Sequence, residues 1–159
     1  MVSRLEYYID ERAVKVWKIM AFLINSFLVF TYGIIWVLFE GIRQPLLIQV
    51  GIFGVLCTIF IFTVFVLPKL RRQRWRYAVY AQEIDLHHGV FVTKKTLIPM
   101  VRVQHVDVRQ GPIMRHYGLA SVDITTAATT HVIPAVAYEE AERLRNQLSN
   151  LARVATEDV

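Results

Sequence analysis

The sequence predicts an α+β membrane protein, in which a hairpin of two transmembrane helices precedes a small antiparallel β-domain that ends in an α-helix. Three observations support this fold class. Two apolar runs without charges, residues 19–39 and 45–67, are long enough to cross a bilayer. Short segments of alternating polarity follow them, and the stretch from Tyr138 onward has helical periodicity. Strands followed by one helix are typical of α+β domains.

The two apolar runs form a hairpin because only residues 40–44 separate them. A segment in hydrocarbon must satisfy its own backbone hydrogen bonds, so both runs are expected to be helical despite their many β-branched and aromatic residues. Polar side chains inside such helices often form contacts between them. When the hairpin is folded about Ile42, Asn25 reaches the depth of Thr58, and one expectation is a hydrogen bond between these side chains.

Basic residues flank the two runs, whereas the connection contains only Arg43. This asymmetry predicts that both termini face the cytoplasm. Four bases precede the first run, namely Arg4, Arg12, Lys15 and Lys18, and five follow the second, namely Lys69, Arg71, Arg72, Arg74 and Arg76. We interpret the second group chiefly as a topology signal. The alternative is a weak contact of these five bases with anionic lipid at the membrane surface.

The net charge of +5 is concentrated beside the membrane. Residues 1–76 contain ten Lys and Arg against four acidic residues, whereas residues 77–159 contain eight against nine. Recognition of nucleic-acid phosphates needs a basic surface on the folded domain. The nearly neutral domain therefore argues against nucleic acid as a partner.

The β-domain is predicted to contain six short strands, at residues 75–80, 83–88, 90–98, 101–110, 120–127 and 130–134. Gly89 suits a tight turn, and Lys94-Lys95 marks either another turn or a solvated edge. A one-residue phase slip at Gln104-His105 predicts a β-bulge. The last strand edge, at residues 131–136, is open to strand addition by a neighbouring chain.

The domain organisation follows from these elements. We predict a cytoplasmic N-terminal segment at 1–16, a hairpin at 17–67, a basic juxtamembrane linker at 68–76 and a cytoplasmic domain at 77–155. The final helix carries one apolar stripe, formed by Ala141, Leu144, Leu148, Leu151 and Ala155.

Catalytic and metal chemistry have little support in the sequence. Neighbouring residues of a strand point to opposite faces, so His87 and His88 cannot both ligate one metal, and the five histidines and Cys57 lack zinc-site spacing. Ser121 and Asp123 could approach His131, but no nucleophile elbow accompanies them. We therefore predict no catalytic site, no metal and no cofactor.

One string of residues resembles a known family. It consists of Leu97-Ile98-Pro99, the segment 102–108, Gln110-Gly111-Pro112, Arg115 and the segment 118–127. The string is similar to that of the bacterial pleckstrin-homology family 2, formerly a family of unknown function, in its membrane-flanked form. The resemblance covers about residues 70–150, and the order of hairpin, basic stretch and domain is similar too.

The resemblance implies a pleckstrin-homology-like (PH-like) fold, a small barrel or sandwich of two near-orthogonal sheets capped by the C-terminal helix. It implies a structural role for the motif residues Pro99, Arg102, Gln104, Val106, Gly111, Pro112, Arg115, Gly118 and Thr125. The nearby bases Arg102, Arg109 and Arg115 are expected to pair with Asp107 or Asp123 or to cap backbone carbonyls, and the alternative is contact with a ligand. Arg115 in particular is assigned a structural role, because the loop before Gly118 needs partners for its carbonyls. Headgroup binding is not implied, since the loop at residues 80–82 contains no base.

The resemblance also implies a location and a partner. Similar proteins lie in the bacterial inner membrane and are commonly encoded beside a larger membrane protein with several copies of the domain. We therefore expect a non-enzymatic scaffold or interaction subunit that assembles with itself or with such a protein. The alternative is a protein that binds or handles anionic lipid at the cytoplasmic face, with the bases of residues 69–76 and Lys94-Lys95 as the side chains that meet the headgroups. A channel or transporter subunit is disfavoured because the spans lack charges.

Overall fold

The computed structural model describes residues 7–38 and 45–157, which divide into two compact units. One unit is the helical hairpin, residues 17–70. The other is the β-domain, which combines the described residues before position 17 with those from position 71 onward. The α+β fold class predicted from the sequence is confirmed.

The hairpin consists of helix α1, Ala13–Leu38, and helix α2, Leu46–Ile61. Helix α2 continues through a π-helical turn, Phe62–Val66, into helix α3, Leu67–Arg74. Both helical stretches are long and apolar enough to cross a membrane, as predicted. The connection predicted at residues 40–44, with Ile42 and Arg43, lies outside the described residues.

The partner of Asn25 in the second helix differs from the expectation. Asn25 Nδ2 donates to Thr63 Oγ1 at 3.1 Å and to the carbonyl of Ala21 at 2.7 Å. The Thr58 hydroxyl instead donates within its own helix, to the carbonyl of Gly54 at 2.8 Å. Depth alone does not fix which helix face points inward, and positions 58 and 63 are about 140° apart around an ideal helix. The expected bond to Thr58 was therefore wrong.

This pair gives a prediction for the hairpin. Thr63→Val removes the acceptor of Asn25 and should lower the free energy of hairpin unfolding by about 0.6 kcal/mol, the average for such bonds in membranes. The matched control is Thr58→Val, which removes only a bond within one helix and should cost less. Steric-trap unfolding of the full chain in bicelles measures both. A larger cost for Thr58→Val would contradict the assignment.

The β-domain contains seven strands in two antiparallel sheets. The first sheet has the order β1-β2-β3-β4, with β1 at Tyr7–Tyr8, β2 at Arg76–Val79, β3 at Glu83–His88 and β4 at Lys94–Pro99. The second has the order β5-β6-β7, at Val103–Arg109, Leu119–Thr126 and Thr130–Ala137. The short helix α4, Pro112–His116, connects β5 to β6, and helix α5, Tyr138–Glu157, follows β7 and packs on the second sheet.

Several local predictions are confirmed and others shift. The register of β5 changes between Val103 and His105, which is the predicted bulge. Strand β4 begins only at Lys94, because residues 89–93 form the turn, and a 3₁₀ turn at Met100–Arg102 precedes β5. Strand β7 runs beyond the predicted end at position 134; it is an edge strand, where proline is tolerated.

The structure adds the N-terminal segment to the domain. Strand β1 pairs with β2, with Tyr7 opposite Tyr77 and Tyr8 opposite Arg76. The side chains of Ile9, Ala13 and Val16 are fully buried. A strand of two residues is too short to show a period, so this segment could not be recognised as part of the sheet.

The domain core fills the space between the two sheets and helix α5. Tyr77 is buried, and its hydroxyl donates to Glu140 Oε1 on the helix at 3.1 Å. The predicted helix stripe is confirmed where it meets the sheets, since Ala141, Leu144 and Leu148 are buried. The other fully buried side chains include Ile84, Leu86, Ile98, Met100, Leu119, Val122, Ile124, Ile133 and Val136. Several concave regions lie on the described surface of the domain, and two of them have features of a binding site.

Candidate functional site

The first concave region is a cavity of about 290 Å³ that we call the basic pocket, after Arg71, His88, Lys94 and His131. None of the described residues that line it is acidic; the others are Trp75, Leu86, Thr129, Thr130, Val132 and Pro134. Four basic side chains without a carboxylate between them form a site of positive potential.

The fold assembles these four bases from separate elements. His88 ends β3 and Lys94 begins β4, and the two residues are opposite each other in the ladder. His131 comes from β7, opposite Ile124, and Arg71 comes from α3. The ring of His88 stacks on the indole of Trp75, with 5.3 Å between the centroids. The turn between β3 and β4 thus brings both of its ends to the pocket.

The pocket disfavours positive charge on its histidines. Burial, together with Lys94, His131 and Arg71, lowers the pKa of His88 below its usual value. Burial and Lys94 likewise lower the pKa of His131. His88 Nδ1 is buried and has no hydrogen-bond partner among the described residues. Adjacent His87 lies on the opposite face, where its Nε2 is 2.9 Å from Asp85 Oδ1, so the predicted divergence of the two histidines is confirmed.

The turn beside the basic pocket is apolar at its tip. Phe91 and Val92 are 80% and 81% exposed, between His88 on one side and Lys94 on the other. Gly89 begins the turn with a φ of +123°, a value that few residues other than glycine adopt.

The second concave region is a cavity of about 480 Å³ that we call the apolar groove. Leu97 and Val101 lie along it with more than half of their surfaces exposed, at 55% and 53%. Strand β4 is the outer strand of its sheet, so the groove lies beside an open sheet edge. The remaining lining residues are Ile98, Pro99, Arg102, Gln104, Thr126, Ala127, Ala128, Thr129 and His131.

The predicted motif residues divide between the groove and the frame of the domain. The structure brings Pro99, Arg102 and Gln104 together on the groove. Val106 lies in β5. Gly111 directly precedes α4 and Pro112 begins it, and Gly118, after the end of that helix, has a φ of +63°. The hydroxyl of Thr125 is 3.2 Å from the hydroxyl of Thr130.

The predicted arginine contacts are partly corrected. Arg109 pairs with Asp123 at 3.0 Å, as expected. Arg102 lines the apolar groove and, among the described residues, pairs with neither Asp107 nor Asp123. The loop carbonyl assigned to Arg115 is bound by Arg12, whose Nη1 donates to the carbonyl of Tyr117 at 3.1 Å. Arg115 is exposed on α4, and the N-terminal segment supplies the cation in its place.

The five juxtamembrane bases have different surroundings. Arg72 bonds Glu11 Oε1 at 2.7 Å and the carbonyl of Ile9 at 3.4 Å, both in the N-terminal segment. Arg76 lies over the ring of Tyr8. Arg71 lines the basic pocket, while Lys69 and Arg74 are exposed. A contact of these five bases with lipid stays a prediction.

The structure does not assemble the catalytic triple considered for β6 and β7. His131 is opposite Ile124, so it lies on the opposite sheet face from Ser121 and Asp123. The Ser121 hydroxyl contacts Met114 Sδ at 3.9 Å, and Asp123 is paired with Arg109. Within residues 7–38 and 45–157, no three His, Cys, Asp or Glu side chains are grouped to hold a metal.

The sequence analysis predicted neither the basic pocket nor the apolar groove as a binding site. The basic pocket draws its bases from α3, β3, β4 and β7, so no local motif marks it. A partial signal was present, since an apolar pair, Phe91-Val92, stands between the His87-His88 and Lys94-Lys95 pairs.

The chain is similar to known bacterial membrane proteins. A family model described as "Bacterial PH domain" matches residues 19–152. The UPF0699 transmembrane protein YdbS of Bacillus subtilis is 43% identical over 152 residues, which cover 95% of each chain. The UPF0699 transmembrane protein YdbT of the same organism is 30% identical over 80 residues, 48% of this chain and 16% of YdbT. No solved structure matches the chain.

Proposed function

Because the chain belongs to the bacterial PH-domain family, we propose that it is a non-enzymatic interaction subunit of a membrane complex. Its two apolar helices anchor the PH-like domain in the bacterial cytoplasmic membrane as a multi-pass protein, with both termini in the cytoplasm. The domain then binds a second PH domain of the same family through the apolar groove. The separation of Ser121 and Asp123 from His131 supports a role without catalysis.

The proposed orientation has support from contacts within the domain. The N-terminal segment pairs with β2 and bonds Arg72, although Ile9 and Arg72 are 63 residues apart in the chain. Those contacts require both ends of the hairpin on one side of the membrane. The excess of Lys and Arg outside the connection supports the cytoplasm as that side.

The observation that carries the proposal is the apolar groove. Leu97 and Val101 expose aliphatic side chains beside an unpaired strand edge, and apolar side chains around a concavity are common anchors of protein interfaces. Anchoring in one membrane keeps the partners at a high effective concentration, so a small groove is sufficient for association.

The proposed partner is a longer membrane protein of the same family. The comparisons support this choice, because Bacillus subtilis has two relatives of different kinds. The present chain matches 95% of the length of YdbS but only 16% of the length of YdbT. A protein of the second kind presents the related domain within a much longer chain. Association of two copies of the present chain through the groove is the other outcome that the test distinguishes.

The test compares Val101→Glu with Val154→Glu in the full chain, co-expressed with the longer family member of the same genome. Val101 lies in the groove and Val154 on α5, and their exposures of 53% and 51% make the pair well matched. A carboxylate in the groove should raise the dissociation constant by about tenfold or more, whereas the change on α5 should leave it unaltered.

Native mass spectrometry of the complexes in mild detergent measures both the composition and the amounts. Loss of the mixed complex in Val101→Glu alone supports the longer partner, and loss of a homo-oligomer in that variant alone supports self-association. Equal behaviour of the two variants would overturn the groove as the interface.

A further inference from the structure

We propose that the basic pocket is a binding site for a phosphate group, and that the turn beside it selects the phosphate of an anionic lipid headgroup. This inference goes beyond the interaction role, since it gives the domain a ligand that is not a protein. Three of its bases, Arg71, His88 and Lys94, do not line the apolar groove, whereas His131 and Thr129 border both cavities.

The charge of the pocket favours an anion. Arg71 and Lys94 are basic side chains, His88 and His131 become cationic when protonated, and no acidic side chain lines the cavity among the described residues. The pKa values of His88 and His131 are lowered by burial first, and repulsion from the neighbouring bases, above all Lys94, lowers them further. A bound phosphate would place a negative charge beside these bases, and its interaction with each of them is attractive.

His88 is held in place for such a contact. Its ring stacks on Trp75, which fixes the plane of the imidazole, and its Nδ1 is buried without a partner in the described part of the chain. Buried polar atoms normally have a hydrogen-bond partner. Among the described residues that line the cavity, the guanidinium of Arg71 and the ammonium of Lys94 can each donate a hydrogen bond to a phosphate oxygen, and the imidazole of His88 borders them.

The size of the pocket limits the ligand. About 290 Å³ is at the lower end of the range for small-molecule sites. One phosphate with a small substituent suits this volume, as in a glycerophosphate headgroup or inorganic phosphate.

The apolar turn favours the lipid as the source of that phosphate. Phe91 and Val92 expose 80% and 81% of their surfaces between two of the pocket's bases, His88 and Lys94. Apolar side chains that enter the acyl boundary, next to cations at headgroup level, are typical of proteins bound at membrane interfaces. A free anion would gain nothing from these side chains.

The first experiment uses the full chain in a neutral detergent with added phosphatidylglycerol and counts bound lipid by native mass spectrometry. Lys94→Gln and His131→Gln should each weaken lipid binding, the former by about tenfold or more. The matched control is Lys95→Gln, because the neighbouring lysine lies on the other sheet face, with Asp85 and His87. Hydrogen exchange of residues 119–137 verifies that each variant is folded.

The second experiment identifies the source of the phosphate. Isothermal titration with inorganic phosphate is repeated with the double variant Phe91→Ser, Val92→Ser. Weaker lipid binding with unchanged phosphate binding assigns the site to a headgroup, whereas equal binding of both ligands in variant and wild type assigns it to free phosphate. Equal effects of Lys94→Gln and Lys95→Gln, or no effect of Lys94→Gln and His131→Gln in folded protein, would overturn the site.

Discussion

Replacing Ile9 with aspartate is expected to unfold the β-domain while both apolar helices remain in the membrane. Ile9 is 1% exposed, and its segment contributes two further buried side chains, Ala13 and Val16. A buried charge without a partner costs about 3–5 kcal/mol. The lost burial of the isoleucine side chain adds about 2–5 kcal/mol. The combined loss is comparable to the stability of folded domains, which is about 5–15 kcal/mol.

Hydrogen exchange of the full chain in nanodiscs measures the result peptide by peptide. We expect Ile9→Asp to expose the amides of β2 and β6, and a topology reporter at the C-terminus to stay on the same side of the membrane as in the wild type. Tyr8→Asp is the control, because it places the same charge one residue away on an exposed side chain over Arg76, and it should cost less than about 1 kcal/mol. Unchanged protection of β2 in Ile9→Asp would remove the N-terminal segment from the domain core.

Gly89→Ala is expected to open the turn between β3 and β4. A Cβ at this position would lie 1.9 Å from the carbonyl oxygen of Val92, and the φ of +123° is unfavourable for alanine. The atoms that the Cβ would meet are the backbone carbonyl oxygen and carbon of Val92, so no side-chain movement relieves the contact. We expect a loss of about 3 kcal/mol in local stability.

The comparison variant is Gly111→Ala, where a Cβ meets nothing within 4 Å. It should change stability by less than about 1 kcal/mol. Hydrogen exchange of residues 83–99 is the measurement, and the loss of protection should be largest where His88 is opposite Lys94. Because the same turn positions both bases, Gly89→Ala should also weaken phosphate binding. Equal protection in the two variants would contradict the turn geometry.

The predictable part of this fold was the part with a long or repeated pattern. The two apolar helices, the order of the later strands, the bulge near Gln104 and the stripe of α5 all have periods that survive in the sequence. The predicted start of β4 at position 90 was too early, because a turn with exposed Phe91 and Val92 has the composition of a strand.

The missed features depend on residues that are distant in sequence. Strand β1 has two residues, and its partner β2 follows only after the hairpin. Arg12 replaces Arg115 at the Tyr117 carbonyl because the same segment folds back across the domain. The basic pocket and the groove each combine separate strands, so neither site has a local motif. Such sites need the register of the sheets, which periodicity alone does not give.

The position of the hairpin between β1 and β2 has a consequence for biosynthesis. The ribosome releases the first strand of the domain early, and its partner emerges only after both apolar helices have been made. Ile9 and Arg72 are 63 residues apart, and in a flexible chain the loss of conformational entropy on closing such a loop costs on the order of 4 kcal/mol of free energy. Antiparallel helices already inserted in the bilayer bring those ends together in advance. Membrane insertion is thus a folding step of the β-domain, and a chain with one misinserted helix would be left with an incomplete sheet for quality-control proteases to recognise.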